Sequence, residues 1–154
     1  MLIKAEVGLE VSAIDVGGWD THFAQGSTSG LMPNLMKDLA EALAAFHADL
    51  YDHMNRLTTV TMSEFGRRAS ENGSLGTDHG HGSMMMVLGG HVQGGNVHGE
   101  WPGMREGQLI GPGDLAVTTD YRDVLSEILV KRLSNPATHE IFPEYQPKLP
   151  GVIL

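Results

Sequence analysis

Six side chains in three short stretches have the chemistry to hold a cation. Asp20 and His22 stand two apart in GWDTH, Glu64 follows the run TTVTM, and Asp78, His79 and His81 lie in GTDHGHGS, residues 76–83. Carboxylates and imidazoles are what Zn²⁺, Mn²⁺ and similar ions accept when no thiolate is available, and the chain has no cysteine. In an extended segment the side chains at i and i+2 point the same way, so Asp20 and His22 can face one ion together, as can His79 and His81. The glycines between them let backbone pass close to an ion or a phosphate without a Cβ clash. Taken singly, each histidine is more often a solvated loop group than a ligand, and neither DxH nor HxH is specific alone. Two such pairs and a strand-end glutamate at one rim say more. Arg67, three residues after Glu64, is most simply a solvated charge, and beside a metal centre it can clamp an anionic oxygen.

These groups need elements to position them. Val11–Gly18 (VSAIDVGG) reads as a buried strand ending on two glycines. A helix is predicted over Asn34–Asp52, because Leu35, Leu39, Leu43, Phe46 and Leu50 form one apolar stripe. Thr58–Met62, β-branched and apolar, reads as a second buried strand. Strand, helix, strand of these lengths predicts a βαβ unit with parallel strands and a right-handed crossover. The loops 18–22 and 63–67 would then leave the same carboxyl edge, where open α/β sheets bind ligands. Ser83–Gly90 is a third strand candidate, and a short strand is predicted near Leu115–Thr118. A second helix is predicted over Tyr121–Leu133, capped by Thr119 or Asp120, with Val124, Leu125, Ile128, Leu129 and Leu133 on its buried face. The tail beyond it holds four prolines and reads as irregular.

Composition narrows the function classes. The 154 residues suit one domain over 1–154. A net charge of −9 makes nucleic acid and anionic membrane poor partners for the surface as a whole. No apolar run approaches the length of a membrane span. The opening MLIKAEVGLE does not read as a signal peptide, since Glu6 and Glu10 interrupt any apolar region. Without cysteine, disulfides and thiolate chemistry are excluded and the compartment stays open. Glycine is the anomaly: of 20, thirteen lie between Gly73 and Gly113, which makes that stretch a region of loops and tight turns. No GxSxG, GxxxxGK[ST] or well-placed GxGxxG offers a rival chemistry.

The motifs GGWDTH, LAEALAAFHADL, VTMSEFGRR, ENGSLGTDHGHGS, VLGGHVQGG, WPG and DLAVTTDYRDVLSEIL followed by IFPEY resemble the domain-of-unknown-function 1501 family. The resemblance covers nearly the whole chain in one order. It implies a place in or near the alkaline phosphatase and sulfatase superfamily. The expected fold is therefore a three-layer α/β/α sandwich with a mainly parallel sheet, of which this chain resembles the C-terminal portion. It also implies a divalent metal ion (Zn, Mn, Ca or Mg) and hydrolysis of a small anionic substrate, a phosphate or sulfate ester. Carried over residue by residue, Asp20 and His22 resemble the first ligand pair and Glu64 a strand-end acid. Phe65 stands where the superfamily has a histidine, and His79 or His81 is the late ligand. A rival alignment puts Asp78–His79 in the Asp-His position, so Asp20, His22, Glu64, Asp78, His79 and His81 all stay in the ligand set. The Ser or Thr nucleophile of the superfamily comes from an N-terminal region with no counterpart here. Two alternatives follow: a non-catalytic metal-binding remnant, or a structural module that docks on an N-terminal partner region or on a second copy. Full-length members are usually exported.

Overall fold

A run of good helix formers with apolar residues three and four apart folds as the first helix, α1, over Leu31–Asp49. The computed structural model describes residues 2–154. The predicted stripe is the less exposed side of α1, and Leu50 just beyond it is fully buried, but no residue within α1 is. A 3₁₀ turn, Tyr51–Arg56, buries Met54 and leads into strand β1, Thr58–Thr61. The chain then makes a long excursion, carrying two short strands, β2 (Gly66–Arg67) and β3 (His79–Gly80). It returns as β4, Met86–Gly89.

The pairing is nested and antiparallel. β1 pairs with β4 with Thr58 opposite Gly89 and Thr61 opposite Met86, while β2 pairs with β3 with Gly66 opposite Gly80 and Arg67 opposite His79. This corrects the expected parallel α/β/α sandwich. The predicted βαβ unit does not form, because Val11–Gly18 is not a strand. Its residues are exposed, Ile14 at 81%. β-Branched, apolar sequence becomes a strand only where a neighbour accepts and donates its ladder hydrogen bonds. Among the described residues, β1 takes its ladder from β4 instead. The partner is antiparallel because the 62–85 excursion begins and ends at the same end of the pair. Leu115–Thr118 likewise forms no strand; Asp114 makes only isolated bridges to Arg68 and Ile110.

The second helix, α2, runs over Tyr121–Arg132, with the Asp120 side chain accepting from the Arg122 backbone N–H as its N-cap. Its inner face is more polar than the sequence pattern predicts. Val124 is buried there, but so are Asp123, Ser126 and Glu127, while Leu133 is exposed. The reason is the irregular tail, which follows a short helical turn, α3 (Thr138–Ile141), and needs polar partners for its backbone. Glu127, with no exposed surface, accepts from the backbone N–H groups of Gly151 (2.8 Å), Val152 (3.0 Å) and Ile153 (3.4 Å) and from Lys131 Nζ (2.7 Å). That clasp seats Val152 and Ile153 beside Val124 in the small hydrophobic core, against Met85, Val87, Val92 and Ile128.

Candidate metal centre

The nested hairpin sets the candidate ligands at its tip. β3 offers His79, and the loop 19–22 crosses beside it. The crossing depends on glycine. A Cβ on Gly76 would lie 2.3 Å from the carbonyl carbon and oxygen of His22, one on Gly80 2.7 Å from the Arg67 carbonyl carbon, and one on Gly82 2.7 Å from the Leu115 oxygen. No other residue allows three stretches of backbone to pass so closely. The bare GTDHGHG segment is thus a packing solution that holds two ligand-bearing loops together.

Asp20, His22 and His79 converge. One ligand atom from each lies within 4.8 Å of the others. Asp20 Oδ1 is 2.7 Å from His79 Nε2 and 2.9 Å from His22 Nε2, so both imidazoles aim the same nitrogen at one carboxylate oxygen. The rings follow one another: His79 stacks on Phe65 with centroids 4.0 Å apart, and His22 lies 4.7 Å from His79, tilted by 36°. Phe65, at the position where the resemblance expects a histidine, therefore acts as a wall for a ligand ring.

The other candidates fall elsewhere. Asp78 contacts the opposite side of His22, its Oδ1 3.2 Å from Nδ1. It also accepts from Asn72 Nδ2 at 3.0 Å and from Arg68 Nη1 at 3.4 Å. That is the position of a group orienting a ligand, since a metal-binding imidazole typically gives its second N–H to a carboxylate. His81 turns away from His79 and pairs through Nδ1 with Asp114 Oδ2 at 2.6 Å. The i, i+2 argument for His79 and His81 fails because the strand ends at Gly80. Glu64 is exposed in a bend and joins no cluster of ligand atoms among the described residues.

Arg67 sits beneath the cluster with its donors engaged. Nη1 donates to Thr77 O and Nη2 to Trp19 O, each at 2.5 Å, and Nη2 is 3.8 Å from Asp20 Oδ1. It ties the two loops together by their carbonyls, a framework role that the expectation of an anion clamp did not include. Sequence reasoning missed Asn72 and Asp114. Asn72 bridges His22 O and Asp78 with its Nδ2 and accepts from the N–H groups of Ser74 and Gly76 with its Oδ1. Asp114 is buried, at 3% exposure, and lies next to Arg68 as well as His81. No spacing rule would have linked Asn72 to His22, or Asp114 to His81, across tens of residues.

Two carboxyl groups here are held in their charged form. The hydrogen bond with His79, helped by the charges of His22, His79 and Arg67, outweighs desolvation and lowers the Asp20 pKa. Hydrogen bonds from Asn72 and His22 do the same for Asp78.

A family model described as "Protein of unknown function (DUF1501)" matches residues 2–135. The chain belongs to the DUF1501 family. The match takes in every residue of the Asp20–His22–His79 cluster and its supports Phe65, Arg67, Asn72 and Asp78, as well as Asp114. In this DUF1501 chain the Glu127 clasp and the tail seated on it lie partly or wholly outside the matched span. No curated protein and no solved structure matches the chain.

Proposed function

We propose that this DUF1501 domain binds a divalent metal ion through Asp20, His22 and His79 and acts on a phosphate or sulfate ester. The observation that carries the reading is the convergence of one carboxylate oxygen and two imidazole Nε2 atoms within 4.8 Å. Two nitrogens and one oxygen are a donor set suited to Zn²⁺ and its neighbours, and three protein ligands are the usual complement of a catalytic site with an open position. Asp20 is held in its charged form, the form that binds a cation, and Asp78 stands at Nδ1 of His22, where a carboxylate orients a coordinating imidazole. Binding an ion would release the proton that each short Asp20–imidazole contact requires.

A divalent ion in such a site supplies charge for polarising an ester oxygen and for activating water. The chain's own residues do the rest. Phe65 and Asp78 fix the planes of His79 and His22, and Arg67 fixes the loops that carry Asp20 and Thr77. Asp20 and His79 are exposed, so substrate has access. The net reaction adds water across the ester bond and releases an alcohol and the inorganic anion.

The test is the elemental content of protein purified without chelator, followed by hydrolysis of 4-nitrophenyl phosphate and 4-nitrophenyl sulfate with Zn²⁺ or Mn²⁺, in the native chain and in Asp20→Ala. One bound ion and Asp20-dependent turnover are expected. An ion without turnover leaves a metal-binding domain that is not an enzyme. A chain that takes up no ion from excess ends the reading.

A second reading, a module that docks on another polypeptide, draws on the unpaired N-terminal stretch. Val7, Leu9, Val11, Ile14 and Val16 are all exposed there, between 42% and 81%. Exposed apolar side chains in such number favour association. Mass in solution, measured across a concentration series, checks it.

A further inference from the structure

Next to the cation cluster is a cavity of about 450 Å³, within the size range of small-molecule sites. Arg67, Arg68, Thr77, Met84, Trp101 and Met104 contribute to its wall. Two features distinguish it from ordinary surface relief. First, three large apolar side chains stand around it while still facing water: Trp101 is 68% exposed, Met84 62% and Met104 53%. An indole face flanked by two thioethers is a surface suited to a flat aromatic ring, through stacking and sulfur–aromatic contact. Second, both arginines in the wall reach carboxylates of the metal centre. Arg67 Nη2 lies 3.8 Å from Asp20 and Arg68 Nη1 3.4 Å from Asp78. Through these two side chains the wall of the cavity adjoins the cluster.

Charge decides what sort of molecule. Asp20, Asp78 and Asp114 outnumber Arg67 and Arg68 by one, so without a metal the neighbourhood repels anions. A divalent ion reverses that balance and makes an anionic head favourable at the cluster. We propose that the Trp101–Met84–Met104 cavity receives the aromatic group of an aryl ester whose anionic head lies at the Asp20–His22–His79 ion. The inference rests on the proposed metal centre and adds the substrate class: an aromatic ester in place of an unspecified one. Trp101 touches the non-reacting part of the substrate and sets specificity.

Calorimetric titration of the zinc-loaded full chain with phenyl phosphate and with methyl phosphate tests this. Phenyl phosphate is expected to bind about tenfold tighter, the scale of one aromatic contact. Trp101→Ala removes that preference while leaving zinc content and methyl phosphate affinity unchanged, and Trp101→Phe keeps most of it. Equal affinities for the two phosphates, a preference that survives Trp101→Ala, or binding of neither would overturn the inference and leave the metal centre standing on its zinc content. Failure to retain zinc would remove both together.

Discussion

Asp78 and Asp20 hold the same imidazole from opposite sides: Asp20 Oδ1 lies 2.9 Å from Nε2 of His22 and Asp78 Oδ1 3.2 Å from its Nδ1. Only the first of these carboxylates points where an ion would sit. Asp78→Asn is therefore expected to weaken zinc binding by about 10- to 100-fold without changing its stoichiometry. Glu64→Ala and His81→Ala, which alter residues outside the cluster, should leave both unchanged. Zinc titration against a chromogenic chelator reads all three variants. An Asp78→Asn protein that lost its zinc outright would make Asp78 a direct ligand after all.

Gly76 is the narrowest crossing in the site. Its backbone conformation suits any residue, so the effect of Gly76→Ala is one of space alone, with the new methyl 2.3 Å from the His22 carbonyl. The two loops must separate, at a cost of about 1–3 kcal/mol. A lower thermal midpoint and weaker zinc binding should appear together. Gly73→Ala, where nothing lies within 4 Å, is the matched control.

Glu127 holds the tail. Burial raises its pKa, but the hydrogen bond from Lys131 and those from the backbone of residues 151–153 outweigh burial and leave it lowered. A carboxyl group with a depressed folded pKa binds its proton more readily in the unfolded chain. Its stabilising effect is therefore complete above the ordinary glutamate range and drains away as pH falls through and below it. Glu127→Ala leaves three N–H groups without their acceptor and the Lys131 ammonium without its counter-charge, and should cost about 3 kcal/mol at neutral pH. Urea denaturation at pH 7 and pH 3 should show a large deficit at the first and a reduced one at the second.

Tyr145 is the alkaline counterpart. Burial and the neighbouring Asp123 carboxylate, which accepts from its hydroxyl at 2.8 Å, push its pKa from 10.0 up to about 12. The folded chain keeps a proton that the unfolded chain releases, so this contribution is intact below pH 10 and is lost as pH rises towards 12. Tyr145 should ionise late in an ultraviolet titration, and Tyr145→Phe should remove that late step. A titration without a late step would disprove the Asp123 contact.

Helices were the most legible part of this sequence. The stripe from Leu35 to Leu50 and the Asp120 cap are local signals, and α1 and α2 form within a few residues of their predicted limits. β1 and β4 were legible as apolar runs, but their partnership was not, since direction and register are fixed by where a long excursion returns. Val11–Gly18 carries a strand's composition without a neighbour to bond, which no window of sequence reveals. In the site, Asp20, His22 and His79 were readable as ligand types. Whether His81 joined them depended on where β3 stopped, and whether Asp78 was a ligand or a support depended on which side of His22 it met. Asn72 and Asp114 act through contacts across the fold and had no signature.

The 19-residue helix α1 has no fully buried side chain, and a groove of about 460 Å³ lies between it and Met86 and Leu88 of β4. Beyond an exposed ion pair of Asp49 with Lys4, the helix is attached to the loop of Asp20: Met32 N–H donates to Gln25 O, and Leu35 fits against Gly18, where a Cβ would lie 3.2 Å away. Gln25 in turn accepts from Thr21 and Thr77. A helix so lightly seated opens often, and deuterium should enter its amides well before those of α2. Each opening would slacken the strand of chain bearing Asp20. Whatever rests on α1, whether ligand, protein or crowded neighbour, would thereby steady the grip on the ion some distance away.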